Sequence, residues 1–359
     1  MIFVKSMKSQ FTRTILQWNR TQNNREMPWK GEKNPYHIWL SEIILQQTRV
    51  EQGRAYYNRF IKKYPTVFKL AAAPEQEVFK LWEGLGYYNR CRNLLYTARE
   101  IVQRYNGIFP DQYEEIIQLK GVGPYTAAAI ASFAYNLPYA VVDGNVFRVL
   151  SRFHGVDTAI DSTAGKQLFT ALAAKMLDKK FPGEYNQAIM DFGATVCKPM
   201  VPSCSHCPLQ NNCAAYQTGM VNRLPVKEKI LTRKTRHFTY FIFEYEGKTF
   251  TRQRTGKDIW QGLFEFYLAE TEKSQKWTVT SVTAWLEEQL GPQSLKILAI
   301  SSPESQQLTH QQINGCFIRV SLKKMPALLS SGNWVTPKGL SALAFPKLIT
   351  KYLSEKYKP

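Results

Sequence analysis

Two carboxylates occur where a carboxylate is costly. Asp143 stands in AVVDGNVFRVL (residues 140–150), between valines and further apolar residues. Glu42 stands in YHIWLSEIILQQT, where helical spacing places Ile38, Trp39 and Leu45 on its own face. Burying an unpaired carboxylate costs on the order of several kcal/mol, so each is exposed, capped or employed. The local readings are plain: Asp143 can make a turn or N-cap a helix, and Glu42 can be an exposed glutamate in an early helical turn. The chemical reading differs. A carboxyl against Ile and Trp keeps its proton to higher pH and suits a general acid, and Asp143, if it is not simply a turn or cap, has a task.

Four of the six cysteines fall within CKPMVPSCSHCPLQNNC, spaced Cys197-x6-Cys204-x2-Cys207-x5-Cys213. In a reducing compartment such a set indicates a metal rather than disulfides. Zinc is one reading, although structural zinc sites usually pair two short knuckles and only one is present here. The other is a larger iron–sulfur cluster, which the longer flanking arms can wrap. Cys91 and Cys316 read as core thiols. In LKGVGPYTAAAIASFAY, Gly121 and Gly123 make a tight turn before an Ala-rich helix. Glycines there let backbone N–H groups approach a phosphate; an ordinary connection between helices is the alternative.

The elements that must carry these residues follow from pattern. At 359 residues the chain exceeds the usual reach of one core, so two or more domains are expected. Its 44% hydrophobic and 13% aromatic content supplies packed cores and excludes a disordered chain. No apolar run is long enough to cross a bilayer, and the start MIFVKSMKSQF is too short an apolar stretch for a signal peptide, so a cytoplasmic, nucleoid-associated protein is expected. With 47 Lys and Arg against 28 Asp and Glu, the net charge of +19 attracts polyanions, and nucleic acid is the expected partner rather than a membrane.

Residues 9–222 read as successive amphipathic helices, among them SQFTRTILQWNR, YHIWLSEIILQQTRV with Asn34 as cap and Pro35 in first position, PEQEVFKLWEGL, NRCRNLLYTAREIVQRYN, YEEIIQLK, PYTAAAIASFAY and TAGKQLFTALAAKMLDK. Residues 223–236 read as a basic linker able to lie along phosphates, or as a merely solvated charge run. Residues 237–359 read as α+β: a hairpin turning at Glu246-Gly247, a helix in VTAWLEEQL, a strand in QQINGCFIRVSL and a closing helix in GLSALAFPKLITKYLSEKY.

Taken together, SEIILQQTRVE, GLGYYNRCRNL, LKGVGPYTAAAI, VVDGNVFRVLSR, NQAIMDFGATVC and the four-cysteine loop resemble adenine DNA glycosylases of the MutY family, within the helix-hairpin-helix glycosylase superfamily that includes endonuclease III. The likeness runs in order from about residue 10 to 227. It implies an all-α helix-hairpin-helix catalytic domain, a [4Fe–4S] cluster on Cys197, Cys204, Cys207 and Cys213, and a catalytic Asp143 with Glu42 as the acid. It also implies Tyr125 and Asn145 as supports at the sugar, and Arg25, Trp29 and Gln187 around the adenine. Gln47 and Tyr87 would wedge into the base stack, with Thr48 and Leu85 against the oxidised guanine. Members that also nick DNA carry a lysine where Tyr125 stands, so the resemblance implies a glycosylase without lyase chemistry.

The second half resembles, more loosely, the MutT-like Nudix-fold domain of the same family through RQRTGKDIWQGLFEF. Glu287 and Glu288 do not form the acidic metal box of a Nudix hydrolase, so the domain is read as binding only. Leu308, Thr309 and His310 align with a loop that usually reads Phe-Ser-His. Thr309 and His310 keep the hydroxyl and imidazole expected to meet the oxidised guanine, and Leu308 loses an aromatic surface. The expected enzyme is a monomer that removes adenine mispaired with 8-oxoguanine in duplex DNA by base flipping, N7 protonation and retaining-type hydrolysis. An endonuclease III-like enzyme and a non-catalytic, metal-stabilised DNA-binding module are the alternatives.

Overall fold

Side-chain caps set several helix starts in the first half of the chain. A computed structural model describes residues 2–229, 232–292, 294–330 and 332–355, with side chains described from residue 10. The helices are α1 (Ile2–Thr21), α2 (Pro35–Leu45), α3 (Val50–Lys63), α4 (Val67–Ala71), α5 (Glu75–Trp82), α6 (Tyr88–Tyr105), α7 (Tyr113–Ile116), α8 (Pro124–Tyr135), α9 (Gly144–His154), α10 (Thr163–Met176), α11 (Pro182–Thr195) and α12 (Ala214–Gln217). Asn34 caps α2 by accepting the Tyr36 N–H, with Pro35 in the first turn, and Asp143 caps α9, which Gly155 ends in the left-handed conformation. The run read through LQQTRV stops at Leu45, because Gln47 takes a φ of +54°. YEEIIQLK yields only the single turn of α7, followed by the hairpin glycines.

The chain forms two units, Met1–Ala72 with Asn93–Lys229, and Ala73–Arg92 with Ile230–Pro359. In the first, α1, α8, α9, α10 and α11 share a core that includes Phe11, Ile15, Trp18, Ala129, Val149, Phe153, Phe169, Ile189 and Phe192. Phe11 meets Phe153 at 4.5 Å between ring centres, and Trp18 meets Phe192 edge-on at 5.0 Å. The hairpin before α8 needs glycine at 121: its φ is +80°, and a Cβ there would sit 2.8 Å from Asn93.

The second unit is built on strands β1 (Lys234–Tyr245), β2 (Lys248–Gln253), β3 (Phe264–Glu265), β4 (Tyr267–Thr271), β5 (Leu295–Ile300), β6 (Glu304–Gln307), β7 (Gln311–Leu322) and β8 (Asn333–Val335). The main path runs β3-β2-β1-β7-β5, with β4 on β1, β6 on β7 and β8 on β2. The central pair β1 and β7 is parallel, whereas β1 and β2 form the expected antiparallel hairpin with Glu246 and Gly247 both at positive φ. Alternation along β1 buries both faces. Phe241 stacks on Trp285 of α13 (Val279–Leu290) at 4.6 Å, while on β7 Phe317 stacks on Tyr352 at 4.0 Å. The closing helix is two: α14 (Pro337–Ala342) and α15 (Lys347–Glu355), separated around Pro346, which cannot continue an incoming helix.

The unit boundary does not follow chain order, because residues 73–92 belong with the sheet. Glu83 accepts the Phe345 N–H at 2.8 Å and the Lys80 ammonium at 2.9 Å, and Lys80 also donates to the Leu343 carbonyl at 2.8 Å. The stretch read as one linker, 223–236, is divided too. The Leu224 carbonyl accepts from Arg152, the Val226 carbonyl from the Ile160 N–H, and Asp161 accepts the N–H groups of Glu228 and Lys229, while Lys234 already begins β1. Ile230 and Leu231 lie outside the described residues. Among the described residues no helix is long and apolar enough to cross a membrane.

Candidate active site

Glu42 projects from the middle of α2 and is buried, with 6% of its surface exposed. Burial raises its pKa to about 7; the Tyr125 hydroxyl, which hydrogen-bonds it from α8, pulls the other way, and the nearby Asp143 carboxylate pushes it up further. The same burial lifts the Tyr125 phenol well above its ordinary range, so it remains a neutral donor. Tyr125 also lies 3.4 Å from Met190 Sδ.

Asp143 is half-buried at the N-terminus of α9, where it makes the N-cap that the local reading expects. Its Oδ1 accepts the N–H groups of Asn145 (2.9 Å) and Val146 (2.8 Å), and its Oδ2 accepts the Asn145 amide at 2.7 Å. Burial raises its pKa above the ordinary aspartate value, against those three hydrogen bonds and the positive Arg148, all of which favour the charged form. Glu42 has one such donor. The groups that favour charge are therefore more numerous at Asp143 than at Glu42.

Arg148 is the member that sequence reading missed. Buried at 7% exposure, it donates to Asn145 Oδ1 (2.8 Å) and to the carbonyls of Gly144 (3.1 Å), Gly193 (2.6 Å) and Cys197 (2.6 Å), so it joins the Asp143 cap to the cysteine loop. The available signal was its position three residues after Asn145, one helical turn along the same face. Asp191 was also missed. It is fully buried on α11 and lies four residues after Gln187, which donates to it at 3.0 Å; Arg25 donates to it at 2.8 Å.

Trp29, Gln187 and Glu42 line one cavity of about 230 Å³, together with Ile38, Ser41 and Lys30. Trp29 is held edge-on to Tyr57 at 5.2 Å. Its lining is mixed, with the apolar Trp29, Ile38 and Phe133 among polar and charged side chains that include Lys33 and Glu184. Gln47 is exposed just after α2, and Thr48 follows with its N–H bonded to the Leu45 carbonyl at 3.0 Å. Gly121 and Gly123 lie at the α7–α8 connection, and a Cβ at Gly123 would meet nothing within 4 Å, so the backbone there is open to a ligand.

Leu85, Tyr87, Thr309 and His310 belong to the second unit. Leu85 is buried, while Tyr87 is 44% exposed, takes a φ of +46° and hydrogen-bonds Thr309 through its hydroxyl. A bulky residue in the left-handed region costs on the order of 1 kcal/mol or more, which suits a functional constraint. Leu308, Thr309 and His310 form the tip between β6 and β7, where the Leu308 N–H closes onto the Gln311 carbonyl at 2.8 Å and His310 is exposed.

The four cysteines of the loop after α11 line a single small cavity and are all free thiols. Arg152 is buried beside them, donating to the carbonyls of Lys198 (2.7 Å) and Pro199 (3.2 Å) and lying 3.5 Å from Cys197 Sγ. Burial raises the thiol pKa values of Cys204, Cys207 and Cys213, Cys207 to about 11. Among the described residues no three His, Cys, Asp or Glu side chains are placed to hold a single metal ion.

Comparison with known proteins places both halves. Residues 40–174 match the HhH-GPD superfamily base excision DNA repair protein family, and residues 239–355 match the NUDIX domain family. An adenine DNA glycosylase from Buchnera aphidicola subsp. Baizongia pistaciae is 32% identical over 350 residues, covering 96% of each chain. The adenine DNA glycosylase of Mus musculus is 42% identical over 232 residues, 61% of this chain and 45% of that one. Among solved structures, a thermostable thymine-DNA glycosylase superposes with a TM-score of 0.55 at 29% identity, over 60% of this chain and 98% of the other. An endonuclease III in a non-covalent DNA complex shares the fold, with a TM-score of 0.51 at 24% identity over 59% of this chain and 98% of that one. A near-full-length relative and a glycosylase fold agree that the chain belongs to the adenine DNA glycosylase family, which hydrolyses N-glycosidic bonds in DNA.

Proposed function

We propose that this glycosylase removes adenine mispaired with 8-oxoguanine or guanine in duplex DNA, acting on a flipped nucleotide. The carrying observation is the unequal carboxyl pair: Glu42 with a pKa raised to about 7, and Asp143 held by three hydrogen bonds that favour its charge. Glu42 protonates adenine N7, which turns the base into a better leaving group. As the glycosidic bond breaks, Asp143 stabilises the positive charge on the deoxyribose, electrostatically or by a transient bond, and Glu42 then accepts a proton from the entering water, in the manner of a retaining hydrolase. Asn145 orients Asp143, and Tyr125 holds Glu42 while facing the sugar. Arg25, Trp29 and Gln187 receive the base. Flipping costs on the order of a few kcal/mol, offset in part where the pair is already mismatched.

Gln47 and Tyr87 are assigned to the wedge, Thr48, Leu85, Thr309 and His310 to the oxidised guanine, and Gly121 and Gly123 to a phosphate. Cys197, Cys204, Cys207 and Cys213 form a donor set suited to a [4Fe–4S] cluster, since four thiols surround one cavity beside the guanidinium of Arg152. The cluster would supply a rigid cross-link of the loop, which carries Lys198, rather than chemistry at the base. Iron and sulfide near four each per chain, an estimate from the cluster type, are expected; stoichiometric zinc would reject the assignment.

Single-turnover excision on duplexes bearing adenine opposite 8-oxoguanine, adenine opposite guanine, and oxidised pyrimidines tests the reaction. Adenine release without strand nicking is expected, with no borohydride-trapped adduct, because Tyr125 supplies no amine. Release of oxidised pyrimidines instead, or efficient trapping at a lysine, would overturn the reading.

A further inference from the structure

Asp191 is fully buried on α11, yet its carboxylate lies outside the acid–base pair. Both oxygens are occupied by donors. Oδ1 accepts from Arg25 at 2.8 Å and from Gln187 Nε2 at 3.0 Å, and Oδ2 accepts from Asn23 at 2.9 Å, with the Lys30 ammonium at 3.3 Å. Asn23, Arg25 and Lys30 all lie between α1 and α2, so this one side chain ties that connection to α11. Lys30 is further fixed by donating to the Arg25 carbonyl at 2.9 Å, and the Arg25 N–H by donating to Asn23 Oδ1 at 3.1 Å.

The consequence falls on Gln187. An amide side chain can turn over and exchange its oxygen with its nitrogen at little cost unless a neighbour decides the matter. A carboxylate between an arginine and a lysine is acceptor-only, so Gln187 must present its nitrogen to Asp191. Its Oε1 is thereby turned away from Asp191, on a side chain that lines the same cavity as Glu42 and Trp29. A carbonyl fixed there accepts a hydrogen bond from an exocyclic amine and repels a keto oxygen.

We propose that Asp191 is a positioning residue that fixes the Gln187 amide and so makes the pocket select a 6-amino purine, adenine, over the 6-keto purine hypoxanthine. It rests on the reading that the flipped base enters the cavity of Glu42 and Gln187. The residue need not touch the base: it acts by denying Gln187 the orientation that a keto base would accept.

Asp191→Asn keeps the shape but replaces an acceptor-only carboxylate by an amide with one acceptor and one donor end, so Gln187 is no longer compelled to present its nitrogen there and can turn its own amine toward the base. Single-turnover excision by the full-length protein, with adenine or hypoxanthine opposite 8-oxoguanine, gives the selectivity ratio. Affinity for the same duplexes built with uncleavable 2′-fluoro nucleosides removes leaving-group differences. The ratio is expected to fall about tenfold or more, the worth of one matched base contact, with adenine losing and hypoxanthine holding or gaining. Combining Asp191→Asn with Gln187→Ala should leave the ratio where Gln187→Ala alone puts it. Equal loss on both bases, or effects that add, means a merely structural carboxylate and overturns the proposal. Should Asp191→Asn fail to fold, the wild-type affinities decide. A fixed carbonyl requires 2′-fluoro adenosine to bind best and 2′-fluoro inosine to bind more weakly than the analogue lacking any 6-substituent; inosine binding as well as that analogue overturns it. Failure of wild type to release adenine at all would instead reject the underlying functional reading.

Discussion

In the first unit, Glu42 is buried with a strongly raised pKa, and the Asp143 carboxylate is held by groups that are themselves held: Asn145 by Arg148, and Arg148 by three carbonyls. At the β6–β7 tip of the second unit, Thr309 is only half-buried and His310 exposed, and Thr309 meets Tyr87. Water screens charges and competes for hydrogen bonds more at the tip than around the buried Glu42 and Arg148, so an interaction of the same kind is worth less at the tip. A reaction that develops charge needs the fixed, dry arrangement. The role proposed for the tip, discrimination between two closely similar bases, needs only the smaller energies an accessible hairpin can offer.

That contrast is broken most directly at the carboxyls. Glu42→Gln and Asp143→Asn are each expected to lower single-turnover adenine excision by about 10² to 10⁴ or more while DNA affinity persists, because acid catalysis and charge stabilisation are lost separately. A near-wild-type rate for either would remove its role. Next in size is Arg148→Ala, which leaves four acceptors around a vacated guanidinium, Cys197 and Gly193 among them. Removing one member of a buried charged network costs on the order of 3 to 5 kcal/mol, read as a lowered urea midpoint, and the misaligned Asp143 should slow excision as well. Unchanged stability would place the arginine at the surface.

Glu42 also makes a prediction about pH. Its folded pKa of about 7 exceeds its unfolded value, so between roughly pH 4.5 and 7 the folded state binds more protons and stability falls as pH rises. The loss is complete above the folded pKa and amounts to about 3 kcal/mol. Glu42→Gln should therefore be more stable than wild type at pH 8 and little different from it near pH 4, as thermal or urea unfolding will reveal. Excision by wild type should decline above pH 7 as the acid loses its proton. An identical pH dependence of stability in wild type and variant would contradict the burial argument.

The smallest effect belongs to the hairpin tip. Thr309→Ala with His310→Ala should cost about 1 to 3 kcal/mol of preference for adenine opposite 8-oxoguanine over adenine opposite guanine, measured by competition between the two duplexes, with the chemical step largely intact. A collapse of the chemical step itself would mean that the tip and the pocket are not separable in the way their environments imply.

Local pattern carried much of this. Asn34 with Pro35 announced α2, Asp143 announced α9, the Glu246-Gly247 turn fixed the β1–β2 hairpin, and the alternation in QQINGCFIRVSL marked β7 at its observed limits. Each is a signal whose physical cause lies within a few residues. The short strands β3, β6 and β8 were not legible, since two to four residues show no period and find their place only by pairing with β2 (β3 and β8) or β7 (β6). Pro346 was visible as a breaker, but the apolar spacing on both sides of it read as one helix.

The residue types by themselves determined the reagents: a carboxyl in an apolar helical context, a second at a helix start, four grouped thiols, two hairpin glycines and a strongly basic chain. What they could not determine is which distant groups would meet. The attachment of residues 73–92 to the sheet depends on Glu83 and Phe345, 262 positions apart, and the occupancy of Asp191 depends on Asn23 and Arg25 across 168 and 166 positions. Sequence spacing constrains contacts within a turn or a strand pair. Only packing brings such pairs together, and with them the burial that raises the Glu42 pKa and the hydrogen bonds that give Asp143 and Gln187 their orientations.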